Sequence, residues 1–327
     1  MNRVAAIDCG TNSIRLLVAD GSLVGLSDVH REMRVVRLGE GVDQTGRLAP
    51  AAIERTRQAL ADYAVAIAEL GATRIRMVAT SASRDADNAD EFRAMVQRTL
   101  GAEPEVITGL AEAELSFAGA VAGLPGVADP LLVADIGGGS TELVLGSPVA
   151  TSLRSPLVPR SMLTQPPAGS SVFAAHSMDV GCVRMTERHL RDDPPTAAQV
   201  AGAVADIRQA LQAATADVPV EQAAAFVGVA GTVTTIAAIA LELPAYDAEA
   251  IHGSVVDFDR VAEITERLLA MPRSERAALP VMHPGRVDVI GGGALVLRVV
   301  MEFVGARQVI ASEHDILDGI ALSLLTD

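Results

Sequence analysis

The pattern of apolar and polar residues contains one unit that occurs twice. Residues 4–18 form an apolar run that ends in Asp8, a turn of small and polar residues, and a second apolar run. Residues 131–145 repeat this order around Asp135. The alignment of the two copies pairs Asp8 with Asp135, Gly10 with Gly137, Ser13 with Ser140 and Arg15 with Glu142. Each copy predicts two strands joined by a tight turn.

The rest of the pattern alternates short apolar runs with longer helical segments. Further strands are predicted at 33–38, 75–79, 106–107, 173–179, 224–230 and 309–310. Helices are predicted at 50–70, 90–100, 110–122, 183–189, 197–214, 231–241, 258–270, 287–304 and 315–325. Strands that alternate with helices are typical of a layered α/β fold. The Ser- and Pro-rich segment 147–171 lacks periodicity, so we expect a flexible surface insertion there.

Length and composition favour a soluble protein of two domains. The 327 residues are enough for two cores, and half of them are apolar. No apolar run reaches the roughly 20 residues that a membrane-spanning helix needs, and the N-terminus lacks a signal-peptide pattern. Two cysteines, Cys9 and Cys182, fit a reducing compartment without a disulfide framework. We therefore expect a cytoplasmic protein.

The charge restricts the ligands that the chain can bind. A formal net charge of −15 argues against nucleic acid or a membrane surface as a partner. A phosphate ligand should therefore be small, metal-bound or drawn into a locally basic cleft. All 26 basic residues are arginine, so side-chain binding of phosphate must rest on guanidinium groups.

The two repeated turns are the candidate phosphate-binding loops. Turns of small residues direct backbone N–H groups and hydroxyls toward one concave spot, which suits phosphate oxygens. The first loop comprises Gly10, Thr11, Asn12 and Ser13, and the second comprises Gly137, Gly138, Gly139, Ser140 and Thr141. Two such loops that face each other can bind one phosphate chain from both sides. Gly231 and Thr232, which begin a predicted helix after a buried strand, form a further candidate anion site.

Three carboxylates accompany these loops. Asp8 and Asp135 each end a buried strand, where a bound Mg²⁺ or loop N–H groups would offset the cost of burying a charge. Glu142 opens the strand after the second loop, so we assign it to positioning water or metal. The residues alone leave open which carboxylate holds the metal.

Seven motifs in order resemble the exopolyphosphatase/guanosine pentaphosphate phosphohydrolase (Ppx/GppA) family, within the sugar kinase, Hsp70 and actin superfamily. They are DCGTNS at 8–13, RLGEG at 37–41, TSASRDADN at 80–88, ITGLAEA at 107–113, DIGGGSTE at 135–142, AGTVT at 230–234 and GRVDVI at 285–290. Together they extend over nearly the whole chain. The chain is similar to the short, two-domain members, which lack an added C-terminal helical region.

The resemblance implies two actin-like (ribonuclease H-like) α/β domains with a cleft between them. The first would comprise residues 1–125 and 305–327, and the second residues 126–304 with the insertion at 147–171. It also implies that water releases a terminal phosphate with the help of Mg²⁺ (or Mn²⁺), and that the protein is a homodimer. Two departures stand out: Ala111-Glu112 replaces a frequent glutamate pair, and segment 147–171 is longer than usual.

The resemblance also assigns roles that local sequence does not. Glu112 matches the family's proposed general base, although an acidic residue in the first turn of a helix also suits the helix dipole. Arg84 matches a phosphate-binding arginine, although a loop arginine is usually a solvated charge. Arg31, Arg34 and Arg37 form either a basic track for a longer phosphate chain or a solvated strand face.

Several functions remain open on the sequence. The first is an exopolyphosphatase that trims inorganic polyphosphate, with short chains favoured by the acidic charge. The second is hydrolysis of guanosine pentaphosphate, in the same cleft and within the stringent response. A phosphotransferase of the same superfamily would need an acceptor pocket. A non-catalytic sensor of polyphosphate or alarmone would bind these ligands without releasing phosphate.

Overall fold

The computed structural model describes residues 2–22, 25–79, 81–84, 86–124, 126–148 and 170–326. Its strands are β1 (Asn2–Cys9), β2 (Ser13–Ser22), β3 (Gly25–Val35), β4 (Arg74–Ala79), β5 (Glu105–Val106), β6 (Leu131–Ile136), β7 (Thr141–Pro148), β8 (Ser170–Met178), β9 (Ala225–Val229), β10 (Val255–Asp257) and β11 (Gln308–Ala311). The strands form two mixed sheets, and the helices cover their faces.

The α-helices differ widely in length. They are α1 (Val42–Thr45), α2 (Pro50–Leu70), α3 (Ser81–Arg84), α4 (Ala89–Leu100), α5 (Gly109–Ala122), α6 (Cys182–Arg188), α7 (Ala197–Asp217), α8 (Ala230–Ala240), α9 (Ala248–Ile251), α10 (Phe258–Ala270), α11 (Arg273–Ala277), α12 (Ile290–Val304) and α13 (Ile316–Thr326). Short 3-10 helices lie at Val220–Gln222 and Pro284–Arg286.

The two sheets share one topology. The strand order is β3-β2-β1-β4-β5 in the first sheet and β8-β7-β6-β9-β11-β10 in the second. In each, an antiparallel hairpin leads into strands that run parallel to its first member, namely β4 beside β1 and β9 beside β6. The second sheet adds the antiparallel edge strand β10. This duplicated order is the ribonuclease H-like arrangement of actin-like proteins, and it confirms the predicted fold class.

The helices α5 and α13 each pack on the sheet that lies farther from them in sequence. Phe117 of α5 packs in one apolar cluster with β6, β7 and β9 of the second sheet. Ile320 of α13 packs instead with β1, β2 and β4 of the first sheet. The segment 1–125, expected to belong to the first domain, therefore contains a helix that packs on the second sheet.

The crossing of α5 and α13 depends on two glycines. A Cβ atom on Gly119 would overlap the carbonyl oxygen of Asp315, and one on Gly319 would overlap the carbonyl oxygen of Leu115. The backbones can approach this closely because neither glycine carries a side chain. The two sheets are therefore joined by a rigid backbone contact close to the site described below.

Most predicted elements are confirmed within a few residues, but the third strand is displaced. It was expected at 33–38, whereas β3 ends at Val35. Val36 and Leu38 are buried although they lie outside the strand. The backbone N–H of Val36 bonds to the carbonyl of Asn12 at 3.1 Å, so the chain turns there to pack on the first loop. The apolar residues at 36 and 38 therefore indicate burial and not strand pairing.

Both ends of the predicted insertion at 147–171 belong to strands. Ser147 pairs with Ser171 and Pro148 with Ser170, so these residues extend β7 and β8. The rest of the predicted insertion, residues 149–169, lies outside the described residues. Within the described part of the chain, no helix has both the length and the apolar composition needed to cross a bilayer.

Candidate active site

The two copies of the repeated unit form equivalent hairpins. Asp8 lies opposite Arg15 in the β1–β2 pairing, and Asp135 lies opposite Glu142 in the β6–β7 pairing. Both turns are closed by the same backbone bond, from Gly10 N to Ser13 O and from Gly137 N to Ser140 O, each at 3.0 Å. Directly opposed residues share one face of a sheet, so each aspartate stands beside its partner. One partner is a cation and the other an anion.

The two loops touch each other. A Cβ atom on Gly138 would come within 3.0 Å of the Thr11 side chain and 3.3 Å of the Asn12 nitrogen. The carbonyl of Gly138 accepts hydrogen bonds from Val183 and Arg184 at the start of α6, at 2.9 and 3.1 Å. Within the described residues, the N–H groups of Gly138 and Gly139 donate no hydrogen bond to protein. The second loop therefore keeps donors for a ligand.

A cavity of about 110 Å³, which we call the inner cavity, lies between the loops. Predicted site residues that line it are Asp8, Gly10, Thr11, Asn12, Ser13, Glu112, Asp135, Gly137, Gly138, Ser140, Gly231 and Thr232. The two loops, the first turn of α5 and the start of α8 thus converge on one place, although they are far apart in sequence.

Four predicted site residues do not line the inner cavity. Gly139 borders a small gap beside Arg184, and Thr141 is fully buried with its hydroxyl donating to the Val180 carbonyl at 2.6 Å. Arg84 and Glu142 lie behind the lining residues. The outer shell of the predicted site is therefore built from groups that contact protein.

Glu112 occupies the first turn of α5, which Thr108 caps through its side-chain oxygen. Glu112 is 7% exposed. Burial and the nearby charge of Asp135 raise the pKa of Glu112 to about 8, although Arg84 favours the ionised form. The carboxyl group therefore binds a proton far more readily than an exposed glutamate does.

Asp135 meets α5 through a hydroxyl that the sequence analysis missed. Ser116, one helical turn after Glu112, donates a hydrogen bond to Oδ2 of Asp135. Burial and the charge of Asp315 raise the pKa of Asp135 to about 6. The spacing of Glu112 and Ser116 by four residues, which places both on one helix face, was the available signal.

Glu142 is a buried neighbour of the cavity and not part of its surface. It is 1% exposed and accepts hydrogen bonds from the hydroxyls of Ser177, at 2.7 Å, and Ser140. Burial and the charges of Glu112 and Asp135 raise its pKa well above the usual value. Its partner Ser140 does line the inner cavity, so Ser140 lies between Glu142 and the cavity.

Arg84, which was expected to bind phosphate, is paired with a carboxylate of the site. Its Nη1 donates to Oε2 of Glu112 at 3.2 Å and to the carbonyl of Ile107 at 3.1 Å. The guanidinium therefore lies against Glu112, within the protein wall of the site.

Arg286 is the cationic side chain that the sequence analysis overlooked, although it stands in the motif at 285–290. It lines the inner cavity, and Nη1 donates to the Thr235 hydroxyl at 2.9 Å. A Cβ atom on Gly231 would lie 2.5 Å from its guanidinium group. Within the described residues Arg286 forms no ion pair, so its charge is available to an anion.

Ala230, at the start of α8, has a left-handed φ of 68°, a strained conformation typical of functional sites.

Asp8 combines a paired and an unpaired oxygen. Oδ2 accepts two hydrogen bonds from Arg15, whereas the buried Oδ1 has no hydrogen-bond partner. Burial raises the pKa of Asp8 and Arg15 opposes that rise. A buried carboxylate oxygen without a partner is costly, so it marks a position for a ligand.

These residues fit a divalent cation that takes only one or two protein ligands. In the described part of the chain, no three His, Cys, Asp or Glu side chains converge as a complete metal site. Mg²⁺ commonly binds one or two carboxylates and completes its shell with water and substrate phosphates. The free oxygen of Asp8 and the carboxylate of Asp135 provide such donors at the inner cavity.

An outer cavity of about 400 Å³ continues from the inner one. The two share Arg15, Met33, Ala230, Gly231 and Arg286. The outer cavity adds an apolar wall and an aromatic ring, from Tyr246, Pro280, Val281, Met282 and Leu317. The opening beyond the loops can therefore hold a larger group than one phosphate.

The arginines 31, 34 and 37 do not form a basic track. Arg31 pairs with Asp28 and Asp318, Arg34 pairs with Glu32 and Asp62, and Arg37 pairs with Asp288. Because each guanidinium has a carboxylate partner, these residues present little net positive charge. The alternative of a solvated, ion-paired face agrees with the structure.

The chain matches the model of the Ppx/GppA phosphatase family over residues 17–327. It is 52% identical to exopolyphosphatase 2 of Mycobacterium tuberculosis, with 99% of each chain covered. It is 28% identical to a guanosine-5'-triphosphate,3'-diphosphate pyrophosphatase of Aeromonas salmonicida, over 98% of this chain and 59% of that protein. The crystal structure of an exopolyphosphatase-like protein superposes with a TM-score of 0.88, at 42% identity and 98% coverage of both chains.

Proposed function

The chain belongs to the Ppx/GppA phosphatase family, and on that premise we propose that it releases orthophosphate from the ends of inorganic polyphosphate, chiefly short chains, at the inner cavity. It is thus an exopolyphosphatase, a hydrolase of phosphoanhydride bonds. The observation that supports this assignment at the site is the meeting of two phosphate-type loops with Glu112 in one cavity.

The terminal phosphate binds between the loops. The backbone N–H of Gly138, which lines the cavity, supplies a donor beside it. Arg286, which carries no ion pair within the described residues, supplies the positive charge. The cavity of about 110 Å³ is matched in scale to one phosphoryl group with a water molecule. Positioning and charge stabilisation dominate phosphoryl transfer, so this arrangement is suited to it.

Glu112 acts as the general base. Its carboxylate accepts a proton from water as the water oxygen bonds to the terminal phosphorus. The bridging P–O bond breaks, and the shortened chain leaves with the bridging oxygen. Glu112 must be ionised for this step, and Arg84 stabilises that form. Glu142 supports the site from behind through Ser140, and its like charge disfavours simultaneous ionisation of the carboxylates.

Asp8 and Asp135 would hold the divalent cation, with Mg²⁺ (or Mn²⁺) as the proposed ion. When bound, the cation neutralises charge on the phosphate oxygens and favours ionisation of the surrounding carboxylates. The unpaired Oδ1 of Asp8 supports this role. Glu142, also expected as a metal ligand, serves through Ser140 in this proposal because it is absent from the cavity surface.

Guanosine pentaphosphate is the second candidate substrate. The outer cavity favours it, since Tyr246 and an apolar wall can accommodate a nucleoside while the terminal phosphate occupies the inner cavity. This activity would connect the protein to the stringent response. The scarcity of aromatic residues weighs against it, because Trp is absent and only two Tyr occur.

We also propose that the chain has two actin-like units. The actin-like units are 1–125 with 305–327, and 126–304, with α5 crossing onto the second sheet. The protein works in the cytoplasm as a homodimer, without nucleic-acid or membrane partners, which its net charge of −15 supports.

The test is phosphate release from short polyphosphate, long polyphosphate and guanosine pentaphosphate in parallel, with Mg²⁺ and again with a chelator. We expect the fastest release from short polyphosphate and its loss on chelation. Faster release from guanosine pentaphosphate would replace the substrate assignment. Binding without release from any of the three would indicate a sensor.

A further inference from the structure

Two ion pairs in series connect the cavity carboxylate Asp8 with the start of helix α13. Arg15 donates to Oδ2 of Asp8 from Nε at 3.0 Å and from Nη2 at 2.6 Å. Its Nη1 donates to Oδ2 of Asp315. Asp315 is 3% exposed, and its Oδ1 accepts a hydrogen bond from the N–H of Leu317 at 3.0 Å. Asp315 is therefore anchored to the helix and holds the far side of the guanidinium.

The geometry of the Arg15–Asp8 contact is unusual for such a pair. A guanidinium fork usually binds a carboxylate with two nitrogens on two separate oxygens. Here both nitrogens bind Oδ2, and Oδ1 has no hydrogen-bond partner. The third nitrogen, Nη1, is held by Asp315 on the other edge of the guanidinium. The guanidinium therefore cannot shift toward Oδ1 of Asp8 without breaking its contact with Asp315.

We propose that Asp315 is a positioning residue that keeps Oδ1 of Asp8 free for the divalent cation by restraining Arg15. The inference rests on the proposed function, since the cation belongs to it. Without the carboxylate of Asp315, Arg15 can settle into the ordinary two-oxygen pair with Asp8. Oδ1 is then occupied by a guanidinium N–H, and a cation must displace it.

Asp318 provides a matched control. It is buried in the first turn of α13 and carries the same charge, but its partners are Arg31 and His314. It does not contact Arg15. Oδ2 of Asp318 accepts the N–H of Asp315 at 3.0 Å, a bond that the oxygen of asparagine can retain. Asp318→Asn therefore removes a charge from the same helix end while leaving the Asp315–Arg15–Asp8 series in place.

The experiment is titration of Mn²⁺ into the full chain without substrate, with free Mn²⁺ followed by electron paramagnetic resonance. Asp315→Asn should weaken Mn²⁺ binding by about 10- to 100-fold, the usual effect of losing a partner that orients a metal ligand. Asp318→Asn should bind like wild type. In an Arg15→Gln background, Asp315→Asn should have a much smaller effect, because only the direct charge of Asp315 on Asp135 then remains.

The outcomes separate this inference from the proposed function. Wild-type protein that binds no Mn²⁺ overturns the cation site itself and this inference with it. Binding by Asp315→Asn equal to wild type overturns only the positioning role, as does an equal loss in Asp318→Asn. If Asp315→Asn fails to fold by circular dichroism, Asp315→Ser decides the question. Serine can still accept the N–H of Leu317 at the start of α13 but is too short to hold Nη1 of Arg15, so wild-type affinity in that variant overturns the inference.

Discussion

Nη1 of Arg84 lies 3.2 Å from Oε2 of Glu112, so the arginine expected to bind phosphate is paired with the carboxylate expected to activate water. Burial and the charge of Asp135 raise the pKa of Glu112, and Arg84 opposes that rise. The direct effect of Arg84 is therefore to favour the ionised form of Glu112.

The first prediction concerns this pair. Arg84→Ala should raise the pKa of Glu112 further, because it removes the cation that favours the carboxylate. The acidic limb of kcat/KM against pH should move to higher pH, measured with short polyphosphate. Arg93→Ala, which removes an exposed arginine paired with Asp90, is the control and should leave the limb in place. A rise in KM with an unmoved limb would restore Arg84 as a direct phosphate ligand.

The second prediction tests the general base. Glu112→Gln keeps the size of the side chain but cannot accept the proton from water. We expect kcat to fall by about 10²- to 10⁴-fold while binding of polyphosphate is retained. Glu114→Gln, an exposed position on the same helix, should keep full activity. Near-wild-type turnover by Glu112→Gln would end its assignment.

The third prediction concerns stability against pH without a divalent cation. Folded-state pKa values of about 8 for Glu112 and about 6 for Asp135 exceed the ordinary values. The folded protein therefore binds more protons than the unfolded chain, and the resulting stability is lost as pH rises through these values. Tm should fall between about pH 5 and pH 8.

Two controls accompany the melting experiment. Mg²⁺ should raise Tm more at pH 8 than at pH 5.5, because the ionised carboxylates bind it. Glu112→Gln should flatten the upper part of the pH dependence. A Tm that rises steadily with pH in the absence of cation would contradict the buried, mutually repelling carboxylates.

The fourth prediction concerns Gly231 and Arg286. In Gly231→Ala, the added Cβ atom would lie only 2.5 Å from the guanidinium of Arg286, so the guanidinium must move. Because the end of a flexible side chain can shift, the fold should survive while KM for polyphosphate rises. Gly202→Ala in α7, whose Cβ would meet only His189 at 3.4 Å, should leave KM unchanged. An unchanged KM in Gly231→Ala would remove Arg286 from phosphate binding.

The fifth prediction concerns the crossing of α5 and α13. Gly119→Ala forces a Cβ atom against the backbone carbonyl of Asp315, which cannot swing aside. The free energy of unfolding should fall by about 1–3 kcal/mol or more, measured by urea denaturation. Gly202→Ala should be neutral or slightly stabilising, since alanine favours a helix interior. Equal stability of the two variants would show that the helices can separate without cost.

The sequence by itself determined the local structure and the family. Apolar runs of strand length around small-residue turns predicted both hairpins, because the strand period and the turn chemistry are short-range properties. The ordered motifs placed the chain in its family, and the sequence identified the loops, Glu112 and the two aspartates as candidate site residues. The helix predicted at 50–70 likewise agrees with α2, whose start and stop are marked by Pro50 and Gly71.

Only the tertiary structure decided which charges meet. Arg84 and Glu112 are 28 residues apart, and Arg15 and Asp315 are 300 apart. Such pairs depend on sheet register and on the crossing of α5 with α13, which no local pattern encodes. The same packing buries Glu142 behind Ser140 and brings Arg286 across Gly231 to the cavity. The sequence identified the ionisable groups, and the fold determined their partners and pKa values, because burial and charge separation are properties of the folded chain.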